Sequence, residues 1–454
     1  MKIMSSYKVK IMHYSKIFND TVKIYRDAVF FFLDVCDKEW SVIQSLNGNL
    51  LKQHCVESLT LWTAKNPNPK YDFNEYFYKM PSYLRRAAIS AAIGAYNSYY
   101  SNLQNWQAEN PKIRGREPVL QLNRNTMPVL YKTNMFIRTD RCSARIKVFH
   151  KDDWVWLDVI LNNQDIKYIE KHCNALKECS PTLLKKGKRW YLVFPFEESV
   201  KLNDTLLHER IICSVDLGLN NDAVCSVMLS DGTVVARKFV NFPTEKDHLY
   251  KALNRVRKAQ QYGSKRVCNK WKHVNDLNQD LCVKTVKAIV DFAMVYHTDV
   301  IVFEHLELRK KKKVRKGMRM RLHTWRANRV QGMVEFKAHR YGMRISRVCA
   351  FNTSRLAYDG SGKVRRGTFV QNGEEKYNYS ICVFRNGKTY NCDLNASYNI
   401  GARYFIREFL KSEEMFLTLQ GLPAKTKDSR YGTGTTRTLS HLINLNADVL
   451  KFCA

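Results

Sequence analysis

The chain has 454 residues, 45% of them hydrophobic, enough for two or three domains and a sizeable core. Its formal net charge of +33 opposes compaction unless a polyanion neutralises it, which points to salt-sensitive nucleic-acid binding. Thirteen scattered cysteines without a C-x-x-C pair exclude a disulfide framework, and the best apolar run, Ala288 to Phe303, is broken by Asp291 and His297, which excludes a membrane span.

In chain order, the first element is an alternating segment, Tyr7-Lys8-Val9-Lys10-Ile11, which reads as a short strand. The N-terminus, Met1 to Ser6, lacks the apolar core of a signal peptide. Phe18, Val22, Tyr25, Val29, Phe32 and Cys36 then recur every three or four residues, which predicts an amphipathic helix. Asn66-Pro67-Asn68-Pro69 breaks the pattern. A second long helix is expected after Pro81, with Leu84, Ala88, Ala91, Ala95, Tyr99 and Trp106 on one side. Residues 16–110 therefore read as a helical lobe. From 111 to 210 short alternating stretches appear, such as Ala144 to Phe149 and Trp190 to Phe194. They predict a small antiparallel β domain, which the N-terminal strand (residues 1–15) joins across the inserted helices.

At 211 the texture changes again. Ile211 to Asp216, Val224 to Leu229 and Val234 to Val240 predict three consecutive strands, the last two joined by the hairpin turn Ser230-Asp231-Gly232. Residues 247–297 read as helices, with Val283, Val286, Val290 and Ala293 as the buried stripe of the last. The apolar run Val300 to Phe303, ending in Glu304, is then the parallel return after a helical crossover. A third acid, Asp393, opens the helical pattern Asp393, Ala396, Ser397, Ile400. The stretch from 413, with Gly432-Thr433-Gly434-Thr435-Thr436, reads as a loosely ordered tail.

Asp216 and Glu304 end core strands and Asp393 starts a helix. Isolated buried carboxylates are costly, and three together invite divalent cations able to activate water against a phosphodiester. This order, strand Asp, strand Glu, helix Asp, is that of an RNase H-like nuclease core. Asn395 is a candidate supporting polar group beside the metals, or only a helix-start hydrogen bond. The run Arg309, Lys310, Lys311, Lys312, Lys313, Arg315, Lys316 follows Glu304, where a phosphate backbone must lie; it reads as a nucleic-acid contact, the alternatives being a solvated face or a targeting signal. A second basic stretch holds Arg255, Arg257 and Lys258. Tyr262 and Trp271 beside it either stack on bases or anchor a core.

Ser214-Val215-Asp216-Leu217-Gly218, Val302-Phe303-Glu304-His305-Leu306, Asn352-Thr353-Ser354, Asp393 to Ile400 and Pro81 to Ile89 together resemble the TnpB family of transposon-encoded, RNA-guided nucleases and the related type V CRISPR effectors. The resemblance spans most of the chain. It implies an α/β multidomain protein: an RNase H-like (RuvC) nuclease core, an N-terminal β-barrel wedge (1–15 and 111–210) and an inserted helical recognition lobe (16–110). The core then spans 211–350 and the helix 393–412, with a degenerate zinc-ribbon-like insertion at 351–392 and a tail at 413–454. The resemblance also implies guide RNA and target DNA as partners, and a single site with two Mg²⁺ ions, or Mn²⁺ in their place, held by Asp216, Glu304 and Asp393. The expected setting is the bacterial cytoplasm, at the nucleoid. One departure stands out. Leu356-Ala357-Tyr358-Asp359-Gly360 replaces the first cysteine pair of the family's zinc ribbon, and only Cys382 and Cys392 remain of the second region, so no structural zinc is expected. Two other readings stay open: a guide-binding repressor that has lost cleavage, which the three acids oppose, and a guide-free resolvase or ribonuclease, which needs no such N-terminal half.

Overall fold

The computed structural model describes residues 1–454 apart from 14, 65, 112–113, 124, 265–266, 307–324, 372–373, 420–434 and 454; side chains are also left out at 368–371, 374–376, 413–419 and 448–453. The chain divides into two compact units, Lys2–Ser199 and Val200–Ala454, with Met1 joining the second. No described helix is long and apolar enough to cross a membrane.

In the first unit, helix α1 (Ile17–Ser45) buries Phe18, Tyr25, Val29, Phe32, Cys36 and Trp40, the heptad-like stripe its sequence carries. α2 (Asn49–Thr60) and the single turn α3 (Phe73–Tyr76) follow, and Phe73 stacks on Phe32 with ring centroids 4.8 Å apart. α4 (Ser82–Ala108) starts directly after Pro81, a residue that cannot donate into a helix. Its buried stripe, Leu84, Ala88, Ala92 and Tyr96, is rotated from the expected one; Ala91 and Ala95 flank it half-buried. The N-terminal strand β1 (Lys2–Lys10) runs antiparallel to β7 (Arg189–Ser199), which also pairs with β5 (Lys177–Glu178) and β6 (Thr182–Lys186). A separate meander, β2 (Phe136–Asp140), β3 (Ser143–His150) and β4 (Asp153–Ile160), turns at Lys151 and Asp152, both with positive φ. Helix α5 (Asn163–Cys173) interrupts the strands. The Asn162 side chain caps it by accepting from the Asp165 amide at 3.1 Å. The alternating texture around it hid this helix from sequence reading, although Ile166, Ile169 and Cys173 carry its apolar spacing.

The second unit is built on a five-stranded sheet. β8 (Ile212–Asp216), β9 (Ala223–Met228) and β10 (Val234–Val240) are antiparallel neighbours, while β11 (Val300–His305) lies parallel to β8 and β12 (Arg344–Cys349) parallel to β11. The order across the sheet is β10-β9-β8-β11-β12. Helices α6 (Pro243–Gln261) and α7 (Cys268–Val295) make the crossover to β11, and α8 (Ala327–Arg340) the crossover to β12. The buried side of α7 runs through Cys282, Val286, Ile289, Val290 and Ala293; Val283, expected in that stripe, is 45% exposed. Strand alternation sends Cys213, Val215, Ile301 and Phe303 into a core with α7 and α8. Ile212, Val300 and Val302 face the other way, against α9 (Cys392–Leu419) and α10 (Leu439–Cys453).

The C-terminal tail is thus not loose throughout. Leu439, Leu442 and Leu445 of α10 are buried in that second core, and α9 runs past the expected end at 412. The turn glycine Gly232 sits close beneath α10, where a Cβ would stand 3.1 Å from Leu439 Cδ1. Between β12 and α9, strands β13 (Arg365–Gln371), β14 (Glu374–Val383) and β15 (Thr389–Asn391) form a small antiparallel sheet. There Cys382 and Cys392 are buried beside Ala357 and Phe384, and Tyr358 meets Phe384, Tyr390 and Tyr398 ring to ring at 5.1–5.6 Å. Ala357 and Tyr358, from the segment that replaces the first cysteine pair, supply part of this apolar core.

Candidate active site

Asp216 is the last residue of β8, and Glu304 lies near the end of β11. The last rung of the ladder between these parallel strands is Phe303↔Val215, so one step further the two acids stand side by side at the carboxyl ends. Two-residue periodicity puts both on the face covered by α9, with Ile212, Ser214, Val300 and Val302. α9 approaches closely there. At Gly401 a Cβ would meet Met228 Sδ at 3.0 Å and Ser214 Oγ at 3.2 Å. A buried hydroxyl chain fixes the helix against the sheet: Ser214 Oγ lies 2.9 Å from Ser226 Oγ, which donates to Ser397 Oγ at 2.9 Å.

That docking brings Asp393, in the first turn of α9, to the same end. Asn391 caps the turn, its Oδ1 accepting from the amides of Asp393 and Leu394, both at 3.0 Å. Asp393 Oδ2 accepts from Asn221 Nδ2 at 2.9 Å. Asn221 lies on the tight loop after β8, where a side chain at Gly218 would come within 2.8 Å of the Asn221 carbonyl oxygen. Glu304 accepts a hydrogen bond from the hydroxyl of Thr353, which is buried, and its backbone carbonyl accepts from Gln331 Nε2 at 2.9 Å.

Asp216 is within electrostatic reach of both other acids. Burial first, then Glu304, then Asp393, hold the Asp216 carboxyl well above the usual range, and only Arg366 opposes them appreciably. Burial also raises Glu304, against the Thr353 hydroxyl and Arg403. Among the described residues the Asp216 carboxyl accepts no hydrogen bond, and no three acid, imidazole or thiol side chains close around one point as a finished ligand cage. An all-carboxylate donor set with one orphaned member suits a hard divalent cation such as Mg²⁺ or Mn²⁺.

A carboxyl held above its unfolded value stabilises the fold fully below about pH 4 and loses that contribution as pH rises through the folded value. Asp216→Asn removes this loss. In chelator at neutral pH the variant is expected to melt above wild type. The gap should close near pH 4. Thermal melts at the two pH values check this; a variant less stable than wild type at neutral pH contradicts the repulsion.

Other residues divide clearly. Asn395 has neither expected role. It is fully buried, its Oδ1 accepts from the Tyr358 amide at 2.8 Å and its Nδ2 donates to the Leu356 carbonyl at 2.9 Å. Both ends of its amide hold the loop before the small sheet. Arg255, Arg257 and Lys258 are exposed on α6. Tyr262 is 88% exposed, whereas Trp271 packs against Ala252, Val256 and Val274. Arg309, Lys310, Lys311, Lys312, Lys313, Arg315 and Lys316 lie outside the described residues. Thr353, Asn221 and Arg366 were not singled out as site residues from sequence. Thr353 had a signal, its place in the Asn352-Thr353-Ser354 motif; the others reach the acids through loop and sheet geometry. Arg366 Nη2 donates to the Ser354 carbonyl at 2.7 Å, while its Nε is buried without a partner among the described residues.

The chain is thus an α/β multidomain protein with three carboxylates gathered at the carboxyl edge of a mixed sheet. By sequence it is related to a TnpB-like protein, aq_aa05 of Aquifex aeolicus (strain VF5), with 25% identity over 242 residues, 48% of this chain and 76% of the relative. Residues 5–150 match the model of the Aq_aa04 family. The uncharacterized protein aq_aa04 of the same organism is 36% identical over 105 residues, 22% of this chain and 59% of that protein. Among solved structures, the mini-RNA-guided endonuclease CRISPR-Cas_phi3 matches with a TM-score of 0.46 and 10% identity, over 88% of this chain and 92% of that one. A Cas12f1–sgRNA–target DNA complex matches with a TM-score of 0.33 and 15% identity, over 88% and 98%.

Proposed function

We propose that this protein is an RNA-guided DNA endonuclease that cuts with one RNase H-like (RuvC) site made of Asp216, Glu304 and Asp393. The observation that carries the reading is the meeting of these acids, from β8, β11 and the start of α9, with Asp216 left unpaired. The sheet order, three antiparallel strands followed by two parallel additions beside the first, supports the RNase H-like assignment. The TnpB-like relative, the net charge of +33 and the large N-terminal unit support guide RNA and target DNA as partners. In this reading the strands of the first unit form the wedge, α1 to α4 the recognition lobe, and the protein acts in the bacterial cytoplasm at the nucleoid.

Asp216, Glu304 and Asp393 would hold two Mg²⁺ ions, or Mn²⁺ in their place, which would supply Lewis acidity toward the scissile phosphate and the attacking water. The chain's own residues set the stage. Thr353 fixes the rotamer of Glu304, Asn221 that of Asp393, and Arg366 supplies a cation beside Asp216 where the phosphate charge develops. The small sheet serves as a nucleic-acid-binding insertion without structural zinc; Cys382 on β14 and Cys392 at the start of α9 pack among apolar groups. Arg255, Arg257, Lys258 and the run from Arg309 to Lys316 contact phosphates.

RNA that copurifies with the protein tests this. Sequencing should yield a defined structured RNA with a variable end, and a plasmid matching that end should be cut in Mg²⁺ while an unmatched plasmid is spared. Equal cutting of both plasmids would point to a guide-free nuclease.

A further inference from the structure

A cavity of about 930 Å³ opens between α6, α7 and the start of α8, away from the acid-bearing face of the sheet. Its floor is apolar, with Leu217, Leu253, Leu281 and Val330. The cavity is open to solvent on one side, so a ligand can enter it without any rearrangement of the helices. Its volume lies within the range of small-ligand pockets. Tyr250 stands at the rim, 65% exposed, together with Trp325, Arg257 and Arg326. Arg255 and Lys258 continue the positive charge along exposed positions of α6.

An apolar floor wide enough for a planar ring, an exposed aromatic at the mouth and cations alongside are what an unstacked base on a phosphate backbone needs. The lining is net positive, with Lys246, Arg257 and Arg326 against Asp222 and Asp247, which favours a phosphate-bearing strand over an apolar protein segment. One wall of the cavity is the loop that follows Asp216: Leu217, Gly218, Leu219 and Asp222 line it, while Asn221 of the same loop holds Asp393. Gly218 is two residues, at most about 7 Å of chain, from Asp216.

We infer that this cavity is a nucleobase site: it takes one unpaired base of a single strand and stacks it on Tyr250, bearing at the same time on the loop that orients Asp393. The inference rests on the nuclease reading and names the part of the substrate that this edge of the core grips.

The test is fluorescence-polarisation binding in chelator, where no cleavage occurs. The probes are a labelled oligothymidine and an abasic oligomer of equal length and charge. The proteins are wild type, Tyr250→Ala and Tyr250→Phe, each checked for an unchanged melting temperature. Wild type should prefer the base-bearing strand. Tyr250→Ala should lose about tenfold on oligothymidine and nothing on the abasic strand, because stacking alone is removed. Tyr250→Phe keeps a ring and should bind as wild type. If Tyr250→Ala binds oligothymidine as tightly as wild type, or loses equally on both strands, the nucleobase site is wrong while the nuclease reading stands. If wild type binds neither strand, the nuclease reading itself fails, and the site with it.

Discussion

Replacing Asp216, Glu304 or Asp393 singly by Ala is expected to lower the rate of DNA cleavage by on the order of 10³-fold while leaving guide and target binding within about twofold of wild type. The two halves of this expectation have separate causes. The acids lie at the carboxyl edge of β8 and β11 and in the first turn of α9, where they repel one another and contribute nothing favourable to a polyanion's approach. Affinity comes instead from the basic surface, through release of counterions. Removing one acid therefore weakens the hold on the cations without weakening the hold on nucleic acid. Asp216→Ala should be the most severe, since Asp216 is the acid that both others disturb. Single-turnover cleavage of a preformed complex separates rate from binding. A variant that cuts at the wild-type rate in Mg²⁺ takes its residue out of the site.

Arg403→Met is expected to cost about 3–5 kcal/mol of stability, because several buried carbonyl acceptors lose their donor at once, at about 1–3 kcal/mol for each left unsatisfied. Arg403 is 2% exposed on α9 and gives every nitrogen of its guanidinium to backbone carbonyls. Nη1 donates to Cys349 and Phe351 at 2.7 and 2.8 Å, Nη2 to Thr435 at 3.0 Å and Nε to Arg437 at 3.1 Å. These carbonyls belong to the end of β12, the loop that leads to Thr353, and the segment that leads into α10. Met fills much of the volume but satisfies none of them, and unmade buried hydrogen bonds carry most of the penalty. Arg403→Lys restores one charge without the fork and should recover only part of the loss. Chemical denaturation of the three proteins measures this; a Met variant within 1 kcal/mol of wild type (about the worth of one ordinary hydrogen bond) contradicts the clamp.

The acids were legible because each sits where a periodic pattern stops. Asp216 and Glu304 end apolar runs too short and too β-branched for helices, and Asp393 opens a run with helical spacing. The hairpin at Ser230-Asp231-Gly232 and the helix after Pro81 were legible for the same reason: local chemistry punctuates them. What escaped was set by tertiary contact. Asn395 and Asp393 lie two residues apart on one helix, so they face about 200° apart around its axis, and only the docked loop shows that Asn395 holds Leu356 and Tyr358. Arg366 reaches Asp216 from a bulged strand far along the chain, a placement no spacing encodes. α10 carries the spacing Leu439, Leu442, Leu445, but the glycine- and threonine-rich stretch before it outweighed that signal. α5 was hidden in the same way by strands on either side.

The measurement that tests the central claim most directly is the metal dependence of cutting on a guide-matched plasmid. Wild-type complex and Asp216→Ala complex are stripped with chelator, and Mg²⁺ or Mn²⁺ is titrated back while strand scission is followed. The account predicts no cutting by either protein in chelator, a saturable return of cutting in wild type with either ion, and none of comparable rate in Asp216→Ala. Cutting that persists in chelator, or that returns equally in both proteins, would contradict a metal-dependent site built on these three acids.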